Sequence, residues 1–142
     1  MSLIFLFATG CTAASANCYW QRSSAGFPNQ VFIYEQVLVE RDPWLEIKVT
    51  IPQIGGAADE NWQAELNAGL KKSIEDFAEQ IRQGALEAKE AHPSAAGFPH
   101  VGQVDYAVTL NKGGLLSLTL SFYQYTGGAH GSYHITYTNI DL

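Results

Sequence analysis

An apolar stripe with helical spacing in the middle of the chain restricts the fold more than any other feature. Its members recur every three or four residues, and they are Trp62, Leu66, Leu70, Ile74, Phe77 and Ile81. Such spacing predicts an amphipathic helix whose apolar side packs on another element. Asp59 offers an N-cap carboxylate, and Pro93 prevents continuation, so we expect the helix to run from residue 59 to about residue 90.

Alternating apolar and polar residues flank this helix on both sides and predict β-strands. The segments are 31–40 and 44–52 before the helix, and 104–110, 115–126 and 132–140 after it. Pro43 and the run "NKGG" at 111–114 provide turns between neighbouring strands. The sequence therefore predicts an α+β fold in the order β-β-α-β-β-β. We expect an antiparallel sheet of about five strands with one long helix packed on one face.

The chain has the length of one ordinary domain, with 142 residues. Residues 31–142 carry all the regular patterns and are predicted to form that domain. Residues 17–30 are small, polar and unpatterned, which predicts a tether or an irregular lead-in. Because the pattern runs to "NIDL" without a cap, we expect the chain to be cut from a longer protein.

Residues 1–16 differ from everything that follows. The run "SLIFLFATGC" is apolar but too short to cross a bilayer as a helix, and it resembles the end of a secretory signal. One interpretation is a lipobox in which Cys11 is lipidated, and another is cleavage after the small residues 14–16. A third is a buried strand, "LIFLF". Cys11 and Cys18 could also pair as a disulfide in an oxidising compartment. We expect an exported protein, either a cell-envelope lipoprotein or a secreted or periplasmic one.

The charge pattern excludes one class of partner. The formal net charge is −6, and the eight basic residues include only one adjacent pair, Lys71–Lys72. Phosphate backbones require clustered Lys and Arg, so we predict no nucleic-acid partner. We expect no contact with the membrane beyond a lipid at the N-terminus. No cofactor and no metal are predicted, because the cysteines do not have zinc spacing.

The run "YTGGAHG" at 125–131 raises the question of a catalytic or metal-binding loop. Gly127 and Gly128 lie between two strands, where their backbone freedom suits a turn, and Gly131 keeps the turn free of bulk. His130 remains, and its spacing from His134 does not bring two rings together on a strand. We favour a structural role for His130 in the turn and predict no catalytic residue. The alternative is an enzyme or metal-binding domain centred on His130.

Tyrosines surround the same loop. Tyr123 and Tyr125 share one strand face, and Tyr133 and Tyr137 share a face of the next strand. If the two strands pair, the rings gather near one end of the sheet. Aromatic platforms of this kind bind sugars or proteins, while the other interpretation is cross-strand pairs that stabilise the sheet.

The helix "WQAELNAGLKKSIEDFAEQI", the run "NKGGLLSLTLSFYQYTGGAHG" and the end "TYTNIDL" resemble the extracytoplasmic domain of unknown function found at the N-terminus of PdaC-type peptidoglycan deacetylases. That domain is related to the extracytoplasmic region of RsiV-type anti-sigma factors. The resemblance covers roughly residues 31–142, and it implies that a second domain follows them in the native protein. It implies an exported module without catalysis of its own, since deacetylation belongs to a separate domain. By analogy, it also implies binding of peptidoglycan or of an envelope protein such as lysozyme.

Overall fold

The computed structural model describes residues 17–22, 31–93 and 98–142. Its elements, in chain order, are β1 (Asn17–Arg22), β2 (Phe32–Asp42), β3 (Leu45–Gly55), α1 (Glu60–Ala91), β4 (His100–Lys112), β5 (Leu115–Tyr125) and β6 (Ser132–Asp141). The predicted α+β class and the order β-β-α-β-β-β are confirmed for β2 to β6. The predicted signal or lipobox at 1–16, including Cys11, lies outside the described residues.

The segment predicted to be a tether forms a strand in its first part. Residues 17–22 are β1, which pairs antiparallel with β2 from Asn17 opposite Val39 to Arg22 opposite Tyr34. The prediction of an irregular lead-in is therefore wrong for these six residues. A short run without alternation can form a strand when the edge of a neighbouring strand offers hydrogen-bonding groups. The run "CYW" also contains aromatic residues, which favour strands.

The sheet has six strands in the spatial order β1-β2-β3-β4-β5-β6 among the described residues, one more than predicted. It is mostly antiparallel, but β3 and β4 pair in parallel from Leu45 opposite His100 to Val49 opposite Val104. The expectation of a wholly antiparallel sheet is corrected at this point. Since α1 connects β3 to β4, the chain returns to the starting edge before β4 begins, and such a crossover makes the two strands parallel.

Helix α1 begins where the sequence places its cap. The Asp59 carboxylate accepts hydrogen bonds from the backbone N–H groups of Asn61 and Trp62, both at 3.0 Å. Its first turns are also tied to the end of β3, because the Asn67 side chain accepts from the Ile54 N–H and donates to the Ile54 carbonyl. These bonds satisfy strand groups that lack a neighbouring strand and fix the start of the helix against the sheet.

Residues of α1 and of the strands form one apolar core. The buried helix residues are Leu70, Ile74, Ala78, Ile81 and Ala85. Three of the six residues of the predicted stripe, Leu70, Ile74 and Ile81, lie in this core, and the other three are partly buried against it. At Gly102 of β4, a Cβ would lie 2.9 Å from Cγ1 of Ile81, so the missing side chain lets the helix approach β4 closely. Within the described residues, no helix has the length and apolar character needed to cross a bilayer.

An ion pair between Arg82 of α1 and the buried Glu40 of β2 joins the helix to the sheet. The Arg82 guanidinium donates from Nε to Oε2 of Glu40, at 3.0 Å, and from Nη2 to Oε1. Glu40 lies on β2 and is only 8% exposed. Hydrogen bonding to Glu40 raises the pKa of Arg82 above its usual value. Because a buried carboxylate requires such partners, this pair ties α1 to β2.

Candidate functional site

The hairpin of β5 and β6 brings the predicted site residues to one end of the sheet. The strands pair in register, with Tyr123 opposite Tyr133 and Gln124 opposite Ser132. Residues 126–131 form the connecting loop. The two strands therefore pair around the glycines, which is the condition under which the tyrosine rings gather near one end of the sheet.

Unusual backbone angles shape this loop. Gly127 has φ of 98° and Gly128 has φ of 95°, values that side chains with a Cβ rarely adopt. The Tyr125 hydroxyl donates a hydrogen bond to the Gly128 carbonyl at 3.0 Å. The Tyr125 side chain thus forms a hydrogen bond with the backbone of the glycine loop. His130 itself is exposed.

Gly131 has a different function in the same loop, because it makes room for a ring. A Cβ at Gly131 would lie 2.4 Å from the Tyr123 ring and hydroxyl. Atoms that are not bonded do not approach so closely, so Tyr123 occupies the space that a side chain would need. The glycine therefore lets the Tyr123 ring lie across the start of β6.

The rings of Tyr123 and Tyr133 pack together, with their centroids 4.7 Å apart and their planes inclined by 44°. Tyr133 is nevertheless 74% exposed, as is Tyr137 further along β6, and Ile135 between them is 46% exposed. We call the side chains of Tyr123, Tyr133, Ile135 and Tyr137 the tyrosine face. The Tyr123–Tyr133 pair is the kind of cross-strand contact that stabilises a sheet. The same rings also leave an aromatic surface exposed to solvent, as a binding platform requires.

Tyr125, Gly127 and Gly128 line a separate aromatic hollow of about 430 Å³. Its other walls include Trp44, Phe98 and His100. Phe98 lies edge-on to Tyr125, with centroids 6.5 Å apart. The sequence did not predict that Trp44 and Phe98 reach this loop, because both arrive through tertiary folding. The predicted site residues are thus divided between this hollow, the loop and the tyrosine face.

The histidines do not gather around His130. His134 lies on β6 near Phe122, at 6.1 Å between ring centroids, and His92 and His100 line the aromatic hollow. No group of three or more potential metal ligands lies together in the described part of the chain. The Nδ1 atom of His100 is buried, and it lies 3.2 Å from the position a Cβ would take at Gly84 of α1.

The sequence patterns missed another set of polar side chains. Gln80 of α1 and Gln124, Ser132 and His134 of the hairpin line a groove between the helix and the strands. Alternation along β6 places His134 and Tyr133 on opposite faces. The sequence shows this alternation along β6, but it does not show which polar residues of a helix lie opposite which strand.

Comparison with known proteins identifies a family for this chain. Residues 38–133 match the family model described as Deacetylase PdaC. The chain belongs to the PdaC family. The match includes α1, the tyrosine pair and the glycine loop, and it confirms the resemblance to PdaC seen in the sequence.

The PdaC-family chain is also similar, at low sequence identity, to a protein of known structure. A crystal structure of a member of the DUF3298 family from Bacteroides fragilis is similar at 15% identity, with a TM-score of 0.48. The alignment covers 89% of this chain and 57% of that one, so this chain spans little more than half of the other's length. No curated protein matches the sequence.

Replacing Gly128 with valine should lower the free energy of unfolding by well over 1 kcal/mol. A β-branched side chain at φ of 95° is strained whatever space surrounds it, and here the space is open. Ala129→Val adds the same side chain at the next, exposed position and should change stability by about 0.5 kcal/mol or less. Urea denaturation of both variants measures the difference. Equal stability of the two would contradict the role assigned to Gly128.

Proposed function

We propose that this PdaC-family domain is a non-catalytic cell-envelope module that binds the glycan strands of peptidoglycan through its tyrosine face. The observation that carries this proposal is the exposure of Tyr133 and Tyr137 on one side of β6. Sugar rings present apolar C–H faces together with hydroxyl groups. Tyrosine suits both, because its ring is apolar and its hydroxyl forms hydrogen bonds.

The spacing of the two rings favours an extended ligand. Tyr133 and Tyr137 are four residues apart on a strand, which places them about 13 Å apart. More than one pyranose ring spans that distance, so a glycan strand contacts both tyrosines at once. Packing of Tyr123 on Tyr133 limits the movement of the first ring, and a ligand therefore loses less entropy when it orders that side chain.

The two faces of the sheet have separate roles in this proposal, with α1 on one face and the tyrosine face on the other. The support comes from register. Phe122, which contacts Phe77 of α1, is opposite His134, whereas Tyr123 is opposite Tyr133. Directly opposed residues lie on the same face, and neighbours along a strand alternate. The tyrosines therefore point away from the helix.

Export and anchoring belong to the same proposal. A module that binds peptidoglycan must lie outside the cytoplasm, and the signal-like residues 1–16 supply a route. If Cys11 is lipidated, the domain stands on the membrane surface close to the cell wall. Binding of lysozyme, the other partner that the resemblance implies, would use the same exposed aromatic surface, and the binding test separates the two ligands.

Removing one ring of the tyrosine face should weaken binding to purified glycan strands. We expect Tyr137→Ala to raise the Kd about tenfold, which corresponds to a loss of about 1.4 kcal/mol. The control is His130→Ala, an exposed ring in the nearby loop, which should leave the Kd unchanged. Isothermal titration with glycan strands, and separately with lysozyme, measures both variants.

Three results would contradict the proposal. The first is a parent domain that does not bind glycan strands. The second is a parent that binds lysozyme alone, which would make the tyrosine face a protein interface. The third is a loss of binding in His130→Ala with normal binding in Tyr137→Ala, which would favour the alternative of a functional centre at His130.

A further inference from the structure

A groove of about 320 Å³ lies between α1 and the β5–β6 hairpin, and Tyr133 of the edge strand β6 is among the residues that line it. Its floor is aromatic, since Phe77 and Phe122 meet edge to face with centroids 5.3 Å apart. We call it the helix–hairpin groove. The position of α1 explains it: the helix packs on β3 and β4, and the outer part of the sheet beyond β5 is left uncovered.

Polar side chains surround the aromatic floor from both sides. The helix contributes Ser73, Asp76 and Gln80, and the hairpin contributes Gln124, Ser132, His134 and Thr136. Amides and hydroxyls both donate and accept hydrogen bonds. An aromatic floor beneath a ring of such groups matches a ligand with an apolar face and hydroxyls around its edge, which is the chemistry of a sugar.

The charges in the groove favour a neutral ligand. Its single carboxylate, Asp76, already forms an ion pair with Lys72 one turn earlier on α1. None of the described residues that line the groove is a lysine or an arginine. An anionic ligand would therefore find no cation there, and a cationic ligand would compete with Lys72 for Asp76. A phosphorylated or carboxylated sugar fits less well than an uncharged one.

The size of the groove limits the ligand to a small one. Ligand pockets usually measure about 300–1,000 Å³, and this groove lies at the lower end of that range. We infer that the helix–hairpin groove binds one uncharged pyranose ring of a glycan strand. This inference rests on the proposed glycan binding, because Tyr133 lines the groove as well as the tyrosine face. The groove then holds one sugar while the tyrosine face contacts the rest of the strand.

Two glutamine side chains make the inference directly testable by NMR. The probe is N-acetylglucosamine, added as the free monosaccharide to the ¹⁵N-labelled chain. The side-chain NH₂ groups of Gln80 and Gln124 have their own NMR signals, and these signals shift when a ligand contacts the side chain directly. We expect saturable shifts of these two amide pairs, with smaller or no shifts for Gln83 on the same helix, whose amide donates to Glu79.

A matched set of variants tests the same contact. The double variant Gln80→Leu and Gln124→Leu removes both amides, keeps side-chain bulk and alters exposed positions, so we expect it to fold. Its Kd for the monosaccharide should rise at least tenfold. Gln83→Leu is the control and should bind as the parent does. Tyr137→Ala should also keep its monosaccharide affinity within about twofold while it loses affinity for glycan strands.

The possible results separate the groove from the tyrosine face. The inference would be overturned if the amide signals of Gln80 and Gln124 did not shift, or if the double variant bound the monosaccharide as the parent does. In either case, an affinity for glycan strands that depends on Tyr137 would leave the proposed function intact. Conversely, shifts at these amides combined with normal glycan binding by Tyr137→Ala would support the groove and contradict the tyrosine face.

Discussion

Replacing Ile74 with aspartate should unfold the domain or leave it with little residual stability. Ile74 is fully buried in the middle of α1, within the core shared by helix and sheet. The change removes an apolar side chain, which alone costs about 2–5 kcal/mol, and it places a carboxylate where nothing neutralises it. Domains are usually stable by only about 5–15 kcal/mol, so the loss takes most of that margin. Thermal unfolding followed by circular dichroism measures it.

The same substitution at Leu86 is the control. Leu86 lies on the same helix but is 49% exposed, so an aspartate there remains in solvent. We expect Leu86→Asp to cost about 1 kcal/mol or less, mainly through the lower helix propensity of aspartate. An Ile74→Asp protein that melts with Leu86→Asp would contradict the position of the helix stripe in the core.

The helix was predictable because its signal is local and repeated. The stripe from Trp62 to Ile81 contains six members at helical spacing, and the Asp59 cap and Pro93 mark its ends. The structure begins α1 at Glu60 and ends it at Ala91, close to these limits. Strands β2, β3, β5 and β6 were predictable for a similar reason, since alternation sustained over many residues is typical of a strand with one buried face.

The pairing of strands was harder to predict because it depends on contacts distant in sequence. β1 carries no alternation, and its partner, β2, begins beyond an intervening segment. The parallel pairing of β3 with β4 follows from the path of the helix, but alternation is the same in parallel and antiparallel strands. Only the crossover through α1 distinguishes the two cases, because a long helical connection lets the chain re-enter the sheet in the same direction.

Some features of the candidate site were predictable from the sequence and others were not, for the same reason. The positive φ angles of Gly127 and Gly128 were predictable from residue type and from their place between strands. The ring that fills the space at Gly131 was not, because it depends on the register that sets Tyr123 opposite Tyr133. The helix–hairpin groove was still less accessible. Its two sides are 40 or more residues apart, and only the tertiary position of α1 brings them together.

Replacing Arg82 with methionine should lower the free energy of unfolding by about 3 kcal/mol, the second largest effect we expect. The variant keeps the apolar stem of the side chain but leaves the Glu40 carboxylate buried without its partner. Removing one member of a buried ion pair usually costs about 3–5 kcal/mol. The lower end applies because the Arg82 side chain is 30% exposed, so water can partly reach the vacated position. Urea denaturation at pH 7 measures the change.

Lys72→Met separates burial from charge pairing in this test. Lys72 also pairs with a carboxylate, Asp76, on the same helix, but both partners are more than half exposed. Exposed pairs contribute about 0–1 kcal/mol, so this variant should be nearly as stable as the parent. The double variant Glu40→Leu and Arg82→Met should recover most of the stability lost by Arg82→Met, because it removes the unpaired buried charge. Two results would contradict this explanation: equal stability of Arg82→Met and Lys72→Met, or a double variant no more stable than Arg82→Met. Either would mean that an unpaired carboxylate at Glu40 does not destabilise the domain.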